Sequence, residues 1–297
     1  MKLPRRTFLH LAAGAAALPA VSCFAWAQAY PTRPVRLIEG FGAGGAPDII
    51  ARLIGQSLSE QLGQSFVIEN RSGASGNIAT DAVARASPDG YTLLLITSTN
   101  AINTTLYDKL SFDFIRDIVP IASIARVPLV MEVHPSVPAR TVAEFIAYAK
   151  ANPGKVNMAS AGTLTQMAGE MFKMMAGLDL FHVPYRGAQV FPALLAGEAQ
   201  VYFGPLLSSI GYVRAGNLRA LAVTTTTRSD VLPDVPVLSD TLPDYEASAW
   251  FGIGAPKSTP AELIERLNKE VNISIADPKF KARLANLGGT VLGRLAG

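Results

Sequence analysis

The chain has 297 residues, 49% hydrophobic and 16% charged, which suits a globular protein with room for two domains. Its formal net charge is +3, but Lys2, Arg5 and Arg6 lie in an N-terminal segment without Asp or Glu; beyond it, 23 basic residues face 23 acidic ones. That balance excludes a basic surface for nucleic acid or anionic membrane, and the single cysteine, Cys23, leaves the remainder without thiols for disulfides, nucleophilic catalysis or metal ligation.

The start, "MKLPRRTFLHLAAGAAALPAVSCFAWAQAYP", combines a basic head, an Ala-rich apolar run and Ala25-Trp26-Ala27, an A-x-A cleavage pattern. "RRTFL" fits a twin-arginine export signal, so residues 1–27 are expected to be a signal peptide and the mature protein to be periplasmic. The apolar run is ended by Pro19 and is shorter than the roughly 20 residues of a membrane span. "VRLIEG" then reads as a strand, and Asp48 to Leu62 as a helix with the apolar stripe Ile50, Leu53, Ile54, Leu58 and Leu62, stopped by Gly63. "SFVIEN", a helix over 78–85 and the strand "YTLLLI" follow, and the polar run "TSTNAIN" comes next as a loop.

Val119 to Val133 reads as two strands broken at Pro128, the first crossing between lobes. Thr141 and Glu144 form a capping box that opens a helix ending at "NPG". The strand "KVNMAS" enters a second glycine loop and a helix whose stripe Leu164, Met167, Met171 and Met174 is expected to be core. "FHVPYRG" and "AQVYFG" give two strand–loop units, and "LRALAVTTTT" reads as a strand crossing back. The last helix, "STPAELIERLNKEV", has Pro260 at its first position and a capping box from Thr259 to Glu262. Strands alternating with helices define an α/β protein with mainly parallel sheets. Two lobes are expected, 28–126 plus 228–297 and 127–227.

The loop "FGAGGAPD" sits between a strand and a helix, a place that holds anions. It is not the dinucleotide fingerprint G-x-G-x-x-G, because Pro47 stands where the third glycine belongs. Gly44 and Gly45 allow backbone N–H groups to approach a ligand, Pro47 suits the first helical turn, and Asp48 can orient the loop. A carboxylate fits such a helix N-terminus as well as a phosphate does, and a plain tight turn is the alternative. Catalytic sets are not visible: beyond the signal only His134 and His182 remain, "GASGN" lacks the last glycine of a nucleophile elbow, and no metal-ligand spacing occurs. No cofactor is expected. These features favour a two-lobed binding protein closing over a small anion, with an exported enzyme or a signalling binder as the other readings.

The run from Tyr30 to Leu95, with "AINTTLYDKLSFD", "HVPYRGA", "VRAGNLRALAVTTTTRSDVLPDVPVLSD" and "APKSTPAELIERLN", resembles Bug-type proteins, the substrate-binding components of tripartite tricarboxylate transporters. The resemblance covers nearly all of the chain from Tyr30 to about Gly288. It implies a periplasmic-binding-protein (Venus flytrap) fold, a small organic carboxylate as ligand, membrane transporter subunits as partners, no nucleic acid, and a monomer. It also implies that Phe41, Gly42, Ala43, Gly44, Gly45 and Asp48 in one lobe, and Ser160, Ala161, Gly162 and Thr163 in the other, grip the carboxylate. Thr97 to Asn100, including Thr99 and Asn100, and the turn of Tyr185, Gly187 and Ala188 would line the rest.

The chain departs from the family's pattern in four places. The family's "PFPPGG" is "GFGAGG" here, so the loop should cost more entropy to order, and proline at Gly42 and Ala43 should raise affinity. The second-lobe loop is about two residues shorter than is common, with Gln166 where His is frequent. Gly204 stands where the family often has Asp, which points to a ligand without an amine. The chain ends at "GGTVLGRLAG", where the family usually continues for about twenty residues of helix.

Overall fold

In a computed structural model that describes residues 30–292, β1 (Val35–Glu39) feeds through a glycine loop into α1 (Ala46–Leu62). Ile50, Leu53, Ile54 and Leu58 of α1 are buried, and Gly63 ends the helix at φ 69°, a conformation that glycine adopts without steric cost. β2 (Phe66–Asn70), α2 (Asn77–Ala84) and β3 (Thr92–Thr97) complete a parallel unit in the order β2-β1-β3. α3 (Ser98–Leu106) follows β3 without a gap, so the expected polar loop is a helix. Its start is a capping box in which Thr97 and Asn100 satisfy each other, a short polar device with no apolar stripe to announce it.

After the single-turn α4 (Phe114–Asp117), β4 (Ile118–Val133) runs unbroken for 16 residues through Pro128. Pro128 breaks nothing because the ladder changes hands there. Residues 118–128 pair with β9 (Ser248–Pro256), and residues 129–133 pair with β7 (Val201–Pro205) and β8 (Arg219–Val223). Between those elements come α5 (Val142–Ala151), β5 (Asn157–Ser160), α6 (Thr163–Ala176), β6 (Phe181–Pro184), α7 (Val190–Leu195) and α8 (Leu206–Arg214). β8 stays in the second half; the return runs through residues 224–247 and back along β9. The chain closes with α9 (Ala261–Ala276), α10 (Pro278–Asn286) and the short β10 (Thr290–Val291). Pro260 precedes α9 as its N-cap, and the Thr259 hydroxyl donates to the Pro256 carbonyl at 2.8 Å, so the expected capping box is absent.

The result is a two-lobed α/β fold on a mixed sheet. Parallel ladders join β1 to β2 and β3, and β5 to β6 and β7; the central crossings through β4 and β9 are antiparallel. Thr224, fully buried, ties the crossings together. Its hydroxyl donates toward Leu129 and Ala247 carbonyls and accepts the Leu129 N–H. Phe145, Phe172, Phe203 and Tyr245 pack with ring centroids 5.1–6.4 Å apart in the second half. The expected methionine stripe of α6 is not that core: Met174 is 77% exposed, and Thr165, Ala168, Gly169, Phe172 and Ala176 face inward. Small residues win because the helix lies close on the sheet; a Cβ on Gly169 would stand 2.4 Å from the Met158 sulfur. Residues 1–29, with the expected signal and Cys23, lie outside the described residues.

Candidate functional site

Four helices of nine or more residues, α1, α3, α6 and α8, begin at one cavity between the half-sheets. Gly45, Ala46 and Pro47 come from the start of α1, Thr97, Ser98 and Thr99 from α3, Gly162, Leu164 and Thr165 from α6, and Pro205 and Ser208 from α8. The single 3-10 turn Gly187–Gln189 adds Gly187 and Ala188. Phe41, Ala161, Phe191, Tyr202, Ala249 and Phe251 complete the wall around about 550 Å³ of empty space, open mouth included. The lining contains no Asp, Glu, Lys, Arg or His. Its polar side chains are the hydroxyls of Thr97, Ser98, Thr99, Thr165, Tyr202 and Ser208, and the helix dipoles add positive potential at the helix starts.

The lobes meet around this space. The Phe41 ring sits against Gly162, where a Cβ would come within 2.8 Å of it; Gly162 has φ 138°, a conformation L side chains rarely adopt. A Cβ on Gly187 (φ 51°) would lie 2.9 Å from the Gly42 nitrogen, and one on Gly44 would lie 3.7 Å from the Ala188 methyl. Across the cleft the Thr163 hydroxyl donates to Asn103 Oδ1 at 2.9 Å. A second recess on the outer side of Phe41 is bordered by Gly42, Ser75, Tyr185 and Arg186, and shares Phe41, Ala161, Gly162 and Gly187 with the inner cavity.

One polar group in the wall has no partner in the protein. Ser98 is 6% exposed, and its hydroxyl makes no hydrogen bond. A buried hydroxyl left unpaired is costly, and the closed wall leaves this one without a partner. Thr97, Thr165 and Ser208 are engaged: Thr97 donates to Asn100 Oδ1 at 2.9 Å, Thr165 donates to the Gly162 carbonyl at 2.9 Å and accepts the Ala161 N–H at 2.8 Å, and Ser208 donates to the Pro205 carbonyl at 2.8 Å. Burial, with Glu132 nearby, raises the Tyr202 pKa, and nearby Thr165 pulls it back in part.

Of the residues singled out from sequence, Phe41, Gly45, Thr99, Ala161, Gly162, Gly187 and Ala188 border the cavity. Gly42 and Tyr185 border the outer recess, and Ala43 and Gly44 are exposed on the loop. Asp48, 4% exposed, turns away from the cavity: it accepts the Gly44 N–H at 2.9 Å, Arg52 Nε at 2.9 Å and Asn70 Nδ2 at 2.9 Å. Burial alone would raise the Asp48 carboxyl, but Arg52 and the Gly44 amide outweigh it and hold it below its ordinary value. Asn100 is spent on the α3 cap and on Thr80, and Thr163 on Asn103. Gly204 is covered: a Cβ there would meet the Tyr202 ring at 2.2 Å, so this tyrosine fills the space in front of it.

Ser160 Oγ lies 2.7 Å from His182 Nε2. Such a pair can activate a nucleophile, yet Ser160 is 2% exposed and borders no part of the cavity, so it faces no reacting atom there. Burial lowers the His182 pKa. Among the described residues no group of His, Cys, Asp and Glu could hold a metal ion, and no helix is long and apolar enough to cross a membrane. Ala46, Pro47, Leu164, Thr165, Phe191, Tyr202, Pro205, Ser208, Ala249 and Phe251 were not marked by the sequence as site residues. Only Thr165 and Ser208 could have been sought there, as hydroxyls in the first turn of a helix after a strand.

This geometry defines a two-lobed binding protein whose uncharged cavity is built from helix N-termini. The chain belongs to the TctC family, described as the tripartite tricarboxylate transporter family receptor, which matches residues 50–293. Protein BugT of Bordetella pertussis is 35% identical over 272 residues, covering 89% of this chain and 83% of that protein. The structure of R. palustris Rpa4515 with adipate is 37% identical, with a TM-score of 0.87 over 89% of this chain and 90% of that one. MatC from Rhodopseudomonas palustris with bound malate is 29% identical, with a TM-score of 0.84 over 88% and 91%.

Proposed function

We propose that this protein is an extracytoplasmic solute-binding protein that captures a small carboxylate between its lobes and delivers it to a tripartite tricarboxylate-type membrane transporter. The observation that carries the reading is the unpartnered Ser98 hydroxyl in a cavity where four helix N-termini converge without any charged side chain. Oriented N–H groups stabilise an anion without the desolvation cost of burying a lysine or arginine. The adipate and malate in two similar structures support the ligand class. In this reading the lobes are 28–126 plus 228–297 and 127–227, and residues 1–27 are cleaved after directing export. The protein acts as a monomer without a cofactor. The carboxylate rests on the loops Phe41–Gly45 and Ala161–Thr163, with Thr99, Gly187 and Ala188 around it, while Asp48, Asn100, Ser160 and Gly204 shape the site from behind.

Thermal shift with a panel of mono-, di- and tricarboxylates and amino acids tests it. A few acids should raise the melting temperature by mass action, with the acid recovered unchanged. Ser98→Ala should weaken the best of them about fivefold while raising the unliganded melting temperature slightly, because it removes a buried hydroxyl that has no partner. No shift with any acid argues against carboxylate capture; consumption of a bound acid would favour an enzyme.

A further inference from the structure

Glu39 is fully buried at the end of β1, one residue before the loop that borders the cavity. Each of its carboxyl oxygens has a separate task. Oε2 accepts the Phe41 N–H at 2.7 Å, and Oε1 accepts the side-chain amide of Asn70. The same Asn70 nitrogen donates to Asp48 Oδ1 at 2.9 Å, and Asp48 Oδ2 accepts the Gly44 N–H at 2.9 Å. The N–H groups of Phe41 and Gly44 therefore end on two buried carboxyls that one amide links. Between them, Gly42 and Ala43 carry no side chain able to hold the backbone in place.

We propose that Glu39 is a positioning residue for the ligand loop: it anchors the Phe41 N–H so that the Phe41 ring and the amides after it stand where the cavity needs them. Glu39 does not border the cavity and acts only through the loop. The role given to the loop rests on the carboxylate reading; the anchoring itself does not.

The surroundings make the anchor responsive to pH. α1 presents Asp48 and Arg52 to Glu39, β2 presents Asn70, and the adjacent β3 places Leu94 beside Ile38. Glu69 of β2 is engaged separately by Arg36 and Arg71. Burial pushes the Glu39 carboxyl up to about 7, against the pull of the Asn70 and Phe41 donors and with Asp48 adding to the rise. As pH rises through that value the acceptor gains charge, and a charged acceptor holds an N–H more strongly than a neutral one.

Amide hydrogen exchange of the peptide spanning residues 41–45, corrected for intrinsic rates from pH 5.5 to 8.5, tests this without any ligand. In the wild type, protection should rise about fivefold with a midpoint near 7. Glu39→Gln keeps an acceptor for the Phe41 N–H but cannot titrate, so it should protect the loop at a level flat with pH. Glu39→Val should lose protection throughout, and peptides from α6 should be unaffected in all three. A flat wild-type profile, or a step that persists in Glu39→Gln, overturns the proposal. If Glu39→Val does not fold, wild type against Glu39→Gln decides alone. A failed ligand panel with a positive exchange result would strike the carboxylate reading and leave the anchor standing.

Discussion

The two turns that face each other across the cavity perform one geometric task with different chemistry. Phe41–Gly45 and Ser160–Thr163 both lead from the end of a strand into a helix N-terminus, and both rely on a glycine at positive φ, Gly44 at 79° and Gly162 at 138°. The first is held by ionisable groups, Glu39 and Asp48 with Arg52 alongside. The second is held by hydroxyls and by an imidazole that burial keeps neutral at physiological pH: Thr165 takes the Ala161 N–H, Ser160 meets His182, and Thr163 reaches Asn103 across the cleft. A hydroxyl keeps its hydrogen-bonding capacity over the whole physiological range and a carboxyl near its pKa does not. The pH response of binding should therefore be one-sided and enter through the first turn.

The second half has its own buried carboxyl, and the contrast with Glu39 is sharp. Glu132 on β4 is fully buried, neither oxygen has a hydrogen-bond partner, and burial pushes it up to about 8. A carboxyl raised in the folded state keeps its proton where the unfolded chain has lost it. Stability therefore falls as pH rises from the ordinary value of 4.5 to about 8, and levels off above that. Glu132→Met, close in size and free of the unpaired oxygens, should be more stable than wild type by roughly 3 kcal/mol at pH 8.5, with a much smaller gain at pH 5. Urea unfolding at the two pH values measures this. A gain independent of pH would place the effect in packing.

The next largest effect separates the turns. Gly162→Val forces a β-branched residue into φ 138° and against the Phe41 ring, and should cost ~2–3 kcal/mol and abolish ligand stabilisation. Gly42→Ala meets nothing within 4 Å and should stay within about 0.5 kcal/mol. Equal costs would remove the asymmetry. Thr163→Val deletes the hydrogen bond to Asn103 and should destabilise by about 1 kcal/mol in thermal unfolding, with faster ligand release. Smallest of all is proline at both Gly42 and Ala43. The sequence points to a gain in affinity from stiffening, but the Glu39–Asn70–Asp48 bridge already restrains the loop. The gain should be under threefold by titration calorimetry with the best acid of the panel.

Legibility followed range. "FGAGGAPD" announced a helix N-terminus because its signals are local: two glycines, a proline in the first turn and the α1 stripe behind them. "TSTNAIN" read as a loop because α3 starts with a cap of hydroxyl and amide groups and carries no apolar stripe. The methionine stripe of α6 has helical spacing, but period says which residues share a face and not which face meets the sheet.

By itself the sequence determined the α/β alternation, the glycine turns at strand ends, the absence of cysteine beyond residue 27 and the family resemblance, all properties of short windows or of composition. Tertiary structure alone decided that four helix starts share one cavity, that Ser98 is the hydroxyl left unpaired, that Tyr202 fills the space before Gly204, and that Glu39 answers to Phe41 and Asn70. The shared cavity joins residues more than a hundred positions apart, and even the near pairs depend on burial, which assigns the energy of an unpaired hydroxyl or a buried carboxyl only once the chain has closed around it.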